Sequence, residues 1–483
     1  MARAVGMDSA SFEFVVFGLT VAFASNVRRS SAWRSLVLMA ASLLFLALLV
    51  QQPALSLPLA GFLGLGYFGL FLLQRGLRRL LVWSILAVIF AYVWLKKYTF
   101  LPEGMFLQHP YVTLGLSYIF FRVLHLLIEA GDGNEQRVGM AGYLLYTINF
   151  TTFVSGPIQR YDEFARDQFA QVPIGLGAPV IGLQIERIIR GFFKVNVLAT
   201  FFHAFQDDAL AQLFQPIPLS YKFLAALRLA VVYPLFLYCN FSGYIDIVIA
   251  VARLMRVRLP ENFDRPFSAT SVLDFWNQWH MTLSNWLKTY VYNPLLIALM
   301  RRISSIEIQP LLGVFCFFVT FFLIGIWHGR TSEFVVFGFL TGSGMSINKL
   351  WQLGLVRAKG RKGYQALAKN SVYVSFGRGL NYAWFAFTLF WFWSDWAQIG
   401  RIFQALSAFE WLGVWLTVWV AATLVLALWE RLRAALLSIK SARGPVLTSR
   451  YARVIIASGL GLTAFAIVGL LNQPAPGIVY KAF

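Results

Sequence analysis

The sequence predicts an all-α, polytopic integral membrane protein, with roughly 11–14 membrane helices, re-entrant or interfacial segments included, around a central tunnel. Three observations lead there. Of the 483 residues, 59% are hydrophobic and only 13% charged, against about 25% charged in a soluble domain. The apolar residues come in runs: Ala32 to Val50 holds one charge, Arg34, while Leu80 to Leu95, Leu412 to Trp429 and Ile455 to Leu471 hold none. A run of about 20 such residues matches the hydrocarbon thickness of a bilayer. The cations fall between the runs, as in Arg28 and Arg29, Arg75, Arg78 and Arg79, Arg253, Arg256 and Arg258, Arg301 and Arg302, and Arg357 to Lys369. Clusters of this kind mark cytoplasmic loops and meet the anionic inner leaflet. The net charge of +20 is therefore read as topology, not as a nucleic-acid face.

Taken in order, spans are expected near 11–27, 32–50, 54–74, 79–97, 105–130, 140–156, 173–203, 218–252, 272–300, 310–328, 333–352, 380–397, 409–431 and 453–471. The first carries Arg3 and Asp8 ahead of it and no small-residue cleavage site behind it, so it is expected as a membrane helix, not a removed signal peptide. The stretch 173–203 contains Glu186, Arg187, Arg190 and Lys194 and is expected at the interface or along a cavity. The one long polar loop is expected at about Arg357 to Arg378. Three regions result: N-terminal membrane helices at 1–110, a catalytic core at 111–352, and a C-terminal loop with membrane helices at 353–483. Cys239 and Cys316, both in apolar stretches, suggest neither a disulfide framework nor a zinc site.

Chemistry is expected in the middle of the chain, because polar groups sit there inside apolar sequence, which is costly unless they are paired or face water. The densest segment runs from Asp274 to Lys288. Read as one helix, it puts Asp274, Asn277, His280, Ser284 and Lys288 on a single face, at spacings of 3, 3, 4 and 4, with Trp276, Trp279 and Trp286 beside them. Such a stripe is either the polar wall of a substrate tunnel or the solvated face of an interfacial helix. A second island ends a charge-free span: Gly325-Ile-Trp327-His328-Gly329. A histidine there is either a base or a hydrogen-bonded helix end. A desolvated imidazole is neutral at pH 7 and accepts a proton from an attacking hydroxyl. No Gly-x-Ser-x-Gly elbow, phosphate loop or His-Glu-x-x-His helix competes with it. His109, His125 and His203 are read as structural. Further islands are Ser155-Gly-Pro-Ile-Gln-Arg160, a helix breaker, and Asn240-Phe-Ser-Gly-Tyr-Ile-Asp246, whose buried carboxylate needs a cation, with Arg253, Arg256 and Arg258 as candidates.

These islands, together with Pro260-Glu-Asn-Phe-Asp-Arg-Pro-Phe267, stand in the order found in the bacterial membrane-bound O-acyltransferases, and from Leu114 to Asn348 the chain resembles that family. The Trp276-Asn-Gln-Trp-His-Met-Thr-Leu-Ser284 run looks most like the D-alanyl transferase branch of teichoic acid modification. Tyr292-Asn-Pro-Leu-Leu-Ile-Ala-Leu departs from the Tyr-x-Pro-Leu-Gly-Gly-Asn-Arg of the alginate and peptidoglycan O-acetylase branch.

The resemblance implies a catalytic base at His328 and a second catalytic histidine at His280, with Asp274, Trp276, Asn277, Ser284 and Trp327 around the substrate. It implies no permanently bound cofactor and no metal. The donor is expected to be a thioester on an acyl carrier protein or coenzyme A, and the acceptor a hydroxyl of an envelope polysaccharide or glycolipid. Membrane lipid and an accessory envelope protein are further expected partners, and the expected location is the bacterial cytoplasmic (inner) membrane. The rival class is a transporter or flippase for a lipid-linked or acylated substrate. Transporters commonly carry matching interrupted helices in two halves, and neither histidine island has a second copy here.

Overall fold

The structure is a computed structural model; it describes residues 10–50, 52–133, 137–303, 305–441, 444–445, 449–471 and 477. Arg3 and Asp8 lie outside the described residues. The described residues are mostly helical, with one two-residue antiparallel pairing, of Lys440–Ser441 with Gly444–Pro445, and short irregular connections. Among the described residues, eight helices are long and apolar enough to cross a membrane: Ser31–Leu49, Pro53–Gln74, Arg78–Leu95, Ala178–Leu213, Leu219–Leu254, Gln309–His328, Ala408–Ser438 and Arg450–Leu470. Several other expected spans are shorter helices or interrupted ones. The 140–156 stretch, for example, becomes Met140–Thr147 and Phe150–Phe153, followed by an irregular turn at Ser155-Gly-Pro.

Packing divides the chain into two compact units. One comprises Met1–Val197, Asn240–Glu261 and Gly459–Phe483; the other comprises Leu198–Cys239 and Asn262–Ser458. The division read from the sequence followed polarity, whereas these units follow contacts.

In the first unit, buried cations secure irregular backbone. Arg122, fully buried, donates to the carbonyls of Tyr146 and Thr147 at 3.1 and 2.8 Å and to that of Thr152. These bonds satisfy the carbonyls freed where the chain breaks before Ser155-Gly-Pro, as low-dielectric surroundings require. His125 accepts from the backbone N–H of Tyr161 at 3.1 Å. Gly191 and Gly243 meet back to back, and a Cβ on either lands 2.5–2.7 Å from the other's carbonyl oxygen. That approach brings the cations of Ala178–Phe193 and its continuation up to Asp246. The partners of Asp246 are Arg187, at 2.9 Å, and Lys194, at 2.8 Å, with Arg190 at 3.7 Å. The sequence candidates do other work: Arg253 and Arg256 donate to the carbonyls of Gly175 and Ile174, and Arg258 pairs with Asp167.

In the second unit, Gln309–His328 and Ser332–Lys369 form a tight hairpin. Gly325 lies directly against the backbone of Gly338, and a Cβ on Gly342 meets the Phe318 carbonyl at 2.8 Å. Small residues at such crossings let membrane helices touch along their backbones. Alongside, Tyr382, Phe390, Trp411, Val414 and Val418 pack with Ala225, Ala226 and Leu229 in one apolar core.

Two expectations are corrected. The polar loop at 357–378 is helical: Ser332–Lys369 runs through it with one kink at Gly360 (φ 68°), and Ser371–Thr388 begins one residue later on an Asn370 cap. Lys, Arg and Ala are good helix formers, and a single glycine absorbs the bend. The segment from Asp274 to Lys288 is not one helix. It is Val272–Trp276, a turn, then Met281–Leu287, with a wider-wound stretch at Lys288–Tyr292.

Candidate functional site

The interruption before Met281 is built by side chains from the preceding island. Asn262, fully buried, accepts at its Oδ1 from the backbone N–H and the hydroxyl of Thr282, at 3.1 and 2.8 Å, and at its backbone carbonyl from Met281 N–H at 3.0 Å. Phe263 pairs with Trp279 across an isolated bridge, and Asp264 N–H donates to the Gln278 carbonyl at 2.9 Å. Held on both sides, His280 adopts a left-handed conformation, φ 46° and ψ 48°, and starts the next helix. A non-glycine residue pays for that conformation, by roughly 1–2 kcal/mol. The clasp of the Asn262 island against Trp279 and Thr282 sustains it.

The turn directs His280 inward, where it is fully buried. Its ring lies 6.3 Å from the indole of Trp327, inclined at 69°. Trp327 in turn contacts the neighbouring imidazole of His328 at 4.8 Å. One indole thus touches both imidazoles, although 47 residues separate them in sequence. Lower on the same helix, Trp276 packs on Phe321 at 5.1 Å, a second point of attachment.

His328 is the last residue of Gln309–His328, and Gly329 leaves the helix in an extended conformation. Glycine is required there because the ring of Phe334 occupies the space a Cβ would take. Phe392 and Phe337 close over the imidazole of His328 at 5.3 and 5.9 Å. The result is an enclosure of two buried imidazoles among aromatic rings.

Of the residues singled out by sequence, His280, Trp327, His328 and Trp276 come together. Ser284 stays one turn from His280, donating its backbone N–H to the His280 carbonyl at 3.1 Å, and its hydroxyl oxygen is buried without a partner among the described residues. Asp274 is engaged locally: its carboxylate accepts from the Thr270 hydroxyl at 2.7 Å. Asn277 is exposed in the turn. The five-residue stripe does not survive the break at His280, although Ser284 and Lys288 keep their helical spacing beyond it. Residues that sequence reasoning passed over are Asn262, which builds the turn, and Glu333, an acid buried in the first turn after His328. A carboxylate immediately after an uncharged span was the available signal for the second.

A polytopic helical protein with two imidazoles enclosed at the end of one membrane-length helix is the class defined so far. The family follows from comparison: the model of the membrane-bound O-acyltransferase family, MBOAT, matches residues 67–357, and the chain belongs to that family. It is similar to the teichoic acid D-alanyltransferase of Streptococcus thermophilus, 31% identical over 245 residues, which cover 49% of this chain and 57% of that protein. It is also similar to the peptidoglycan O-acetyltransferase of Helicobacter pylori, 30% identical over 212 residues, covering 43% and 37%. A probable alginate O-acetylase of Pseudomonas fluorescens is 28% identical over 248 residues, covering 51% and 47%. The chain spans about half the length of the curated relatives it matches.

Proposed function

We propose that this multi-pass membrane protein is an O-acyltransferase of the bacterial cytoplasmic membrane, moving an acyl group, D-alanyl or acetyl, from a thioester on the cytoplasmic side to a hydroxyl of an envelope polysaccharide or glycolipid on the other. The observation that carries this reading is the meeting of two buried imidazoles on Trp327 at the end of Gln309–His328. The charge pattern supports its direction. Arg301 and Arg302 precede that helix, and the next basic cluster lies in the far half of Ser332–Lys369. By the positive-inside rule both are cytoplasmic, so the turn carrying His328 faces the opposite side, where an envelope acceptor arrives.

In this mechanism the donor thioester presents its carbonyl carbon beside His328. The acceptor oxygen attacks that carbon as its proton passes to the imidazole. His280 orients the donor and supports the charge that develops on the carbonyl oxygen. The tetrahedral adduct collapses, the carbon–sulfur bond breaks, and the departing thiolate takes the proton back from His328. Products are an ester and a free thiol. Trp276, Trp327 and Ser284 line the approach, with Asp274 and Asn277 farther out. An acyl carrier protein is the favoured donor carrier, the reading that goes with a likeness to proteins named teichoic acid D-alanyltransferase.

The test is transfer of a labelled acyl group by the purified protein in detergent, where transport has no meaning but chemistry proceeds. His328→Ala should lower turnover by about 10²–10⁴-fold, the usual contribution of a general base, with an unchanged thermal midpoint. Wild-type turnover in that variant removes His328 from the role. Absence of transfer by the wild type with every thioester offered favours the transporter class.

A further inference from the structure

A second polar cluster lies one turn beyond His328, and neither histidine accounts for it. Glu333 stands in the first turn of Ser332–Lys369 and is 7% exposed. Its Oε1 accepts from the backbone N–H of Trp396 at 3.0 Å. Its Oε2 is buried and has no hydrogen-bond partner among the described residues. Two residues before Trp396, Ser394 is 6% exposed, and its hydroxyl oxygen is likewise buried without a partner. A buried carboxylate oxygen and a buried hydroxyl, each unsatisfied among the described residues and on segments joined by the Trp396–Glu333 hydrogen bond, call for a ligand that supplies hydroxyl groups.

Beside them, Trp396 is 47% exposed, and its indole N–H is tied to the Ser332 hydroxyl at 2.7 Å. The ring is therefore fixed in orientation while part of it stays open. The cluster is also joined to the catalytic end: Phe392, two residues before Ser394, packs on His328 at 5.3 Å and on Phe334 at 5.8 Å.

We infer that Glu333, Ser394 and Trp396 form a recognition subsite for a polyhydroxylated unit, a sugar, of the acceptor, placing one of its hydroxyls toward His328. The inference rests on the acyl-transfer reading for the hydroxyl's fate but not for the binding. Adjacent hydroxyls suit the site because one donates to the Glu333 Oε2 while its neighbour exchanges a hydrogen bond with Ser394. The C–H face of a sugar ring then covers the open indole. A monohydric alcohol satisfies one group and leaves the other unpaired. An acyl chain satisfies neither. The turn lies on the side opposite the basic clusters, where a sugar polymer of the envelope is met.

Two variants test it in the full-length protein. Glu333→Gln keeps a carbonyl oxygen for Trp396 N–H, so the helix anchor survives while the second oxygen becomes a donor. Ser394→Ala removes only the hydroxyl. Methyl glucoside and 1-propanol are compared as acceptors, with S-acetyl- and S-D-alanyl-pantetheine as donors, and methyl glucoside binding is followed separately by saturation-transfer NMR without donor. Each variant should lower the preference for the glucoside by about tenfold, through KM, and weaken the NMR signal. An unchanged preference with an unchanged signal means that the two groups hold solvent only, and overturns the inference. Equal loss with both acceptors, with glucoside binding intact, makes Glu333 a structural anchor and overturns it too. If the wild type acylates neither acceptor yet binds the glucoside through Glu333, the sugar subsite stands and the acyl-transfer reading falls.

Discussion

The two units meet the same difficulty, polar groups in an apolar setting, in opposite ways. Around Asp246 the first unit sets charge against charge: a carboxylate with 10% of its side chain exposed is surrounded by Arg187, Lys194 and Arg190, and Arg187 reaches on to Glu261. Around His328 the second unit uses aromatic packing: Trp327, Phe337 and Phe392 lie against the His328 imidazole, and Trp327 also meets His280. The first arrangement fixes helices. The second holds the imidazole to which the proposed mechanism assigns proton transfer. Intramembrane polarity thus takes two forms here, ion pairs around Asp246 and aromatic packing around His328.

The largest stability effect should come from breaking the charged arrangement. Asp246→Ala leaves two or three cations facing each other with no acid among them, apart from Glu261 at the edge. Removing one member of a buried ion pair typically costs about 3–5 kcal/mol. The variant should show a sharply lowered thermal midpoint in detergent, while the fraction that remains folded keeps its turnover. A midpoint equal to that of the wild type means that the network is solvated and contributes little, and the contrast between the units weakens.

A second test addresses how the aromatic arrangement is positioned. His280 sits at φ 46°, a conformation that asparagine tolerates and alanine does not. His280→Asn should keep the thermal midpoint, whereas His280→Ala lowers it. Both should lose about 10²-fold in transfer, the scale of an oxyanion-stabilising group. Wild-type turnover in both variants confines His280 to the fold. A large loss in alanine with none in asparagine assigns the whole effect to the backbone turn.

These elements also mark how far the sequence was legible. Membrane-length runs follow from hydropathy alone, since lipid permits little else than helices there, and both histidines stood out as polar atoms in apolar surroundings. The interruption at His280 did not. Spacings of 3, 3, 4 and 4 from Asp274 fit an uninterrupted helix, and no glycine or proline interrupts that segment. What breaks it is Asn262, tied to Met281 and Thr282 by bonds across 19 and 20 residues, a non-local term that periodicity does not contain. The 357–378 stretch failed in the opposite sense: composition suggested a loop, but its Lys, Arg and Ala residues sustain a helix once Gly360 takes the kink. The cations chosen for Asp246 were neighbours in sequence, whereas the partners it found came from a different helix, through the Gly191–Gly243 contact.

The smallest expected effect concerns encounter with the donor. Of the arginines in the clusters at 253–258 and 301–302, three are committed inside the first unit. Arg253 and Arg256 donate to loop carbonyls, and Arg258 forms a pair with the buried carboxylate of Asp167. Arg301 and Arg302 differ: they close the helix Asn293–Arg302 and are exposed. Charges of that kind act mainly on association rate and are screened by salt. Reversing both, Arg301→Glu with Arg302→Glu, should therefore leave the thermal midpoint unchanged and slow carrier-dependent transfer by about tenfold at low salt. The deficit should shrink as ionic strength rises toward 0.5 M. Transfer from a pantetheine thioester, which has no protein surface to dock, should be insensitive to the reversal at any salt. If the two donors respond alike, the arginines set topology and contact lipid only. If acyl-coenzyme A supports full turnover with no carrier present and no charge dependence, the carrier is not the donor, and the acetylase branch becomes the better description of this chain.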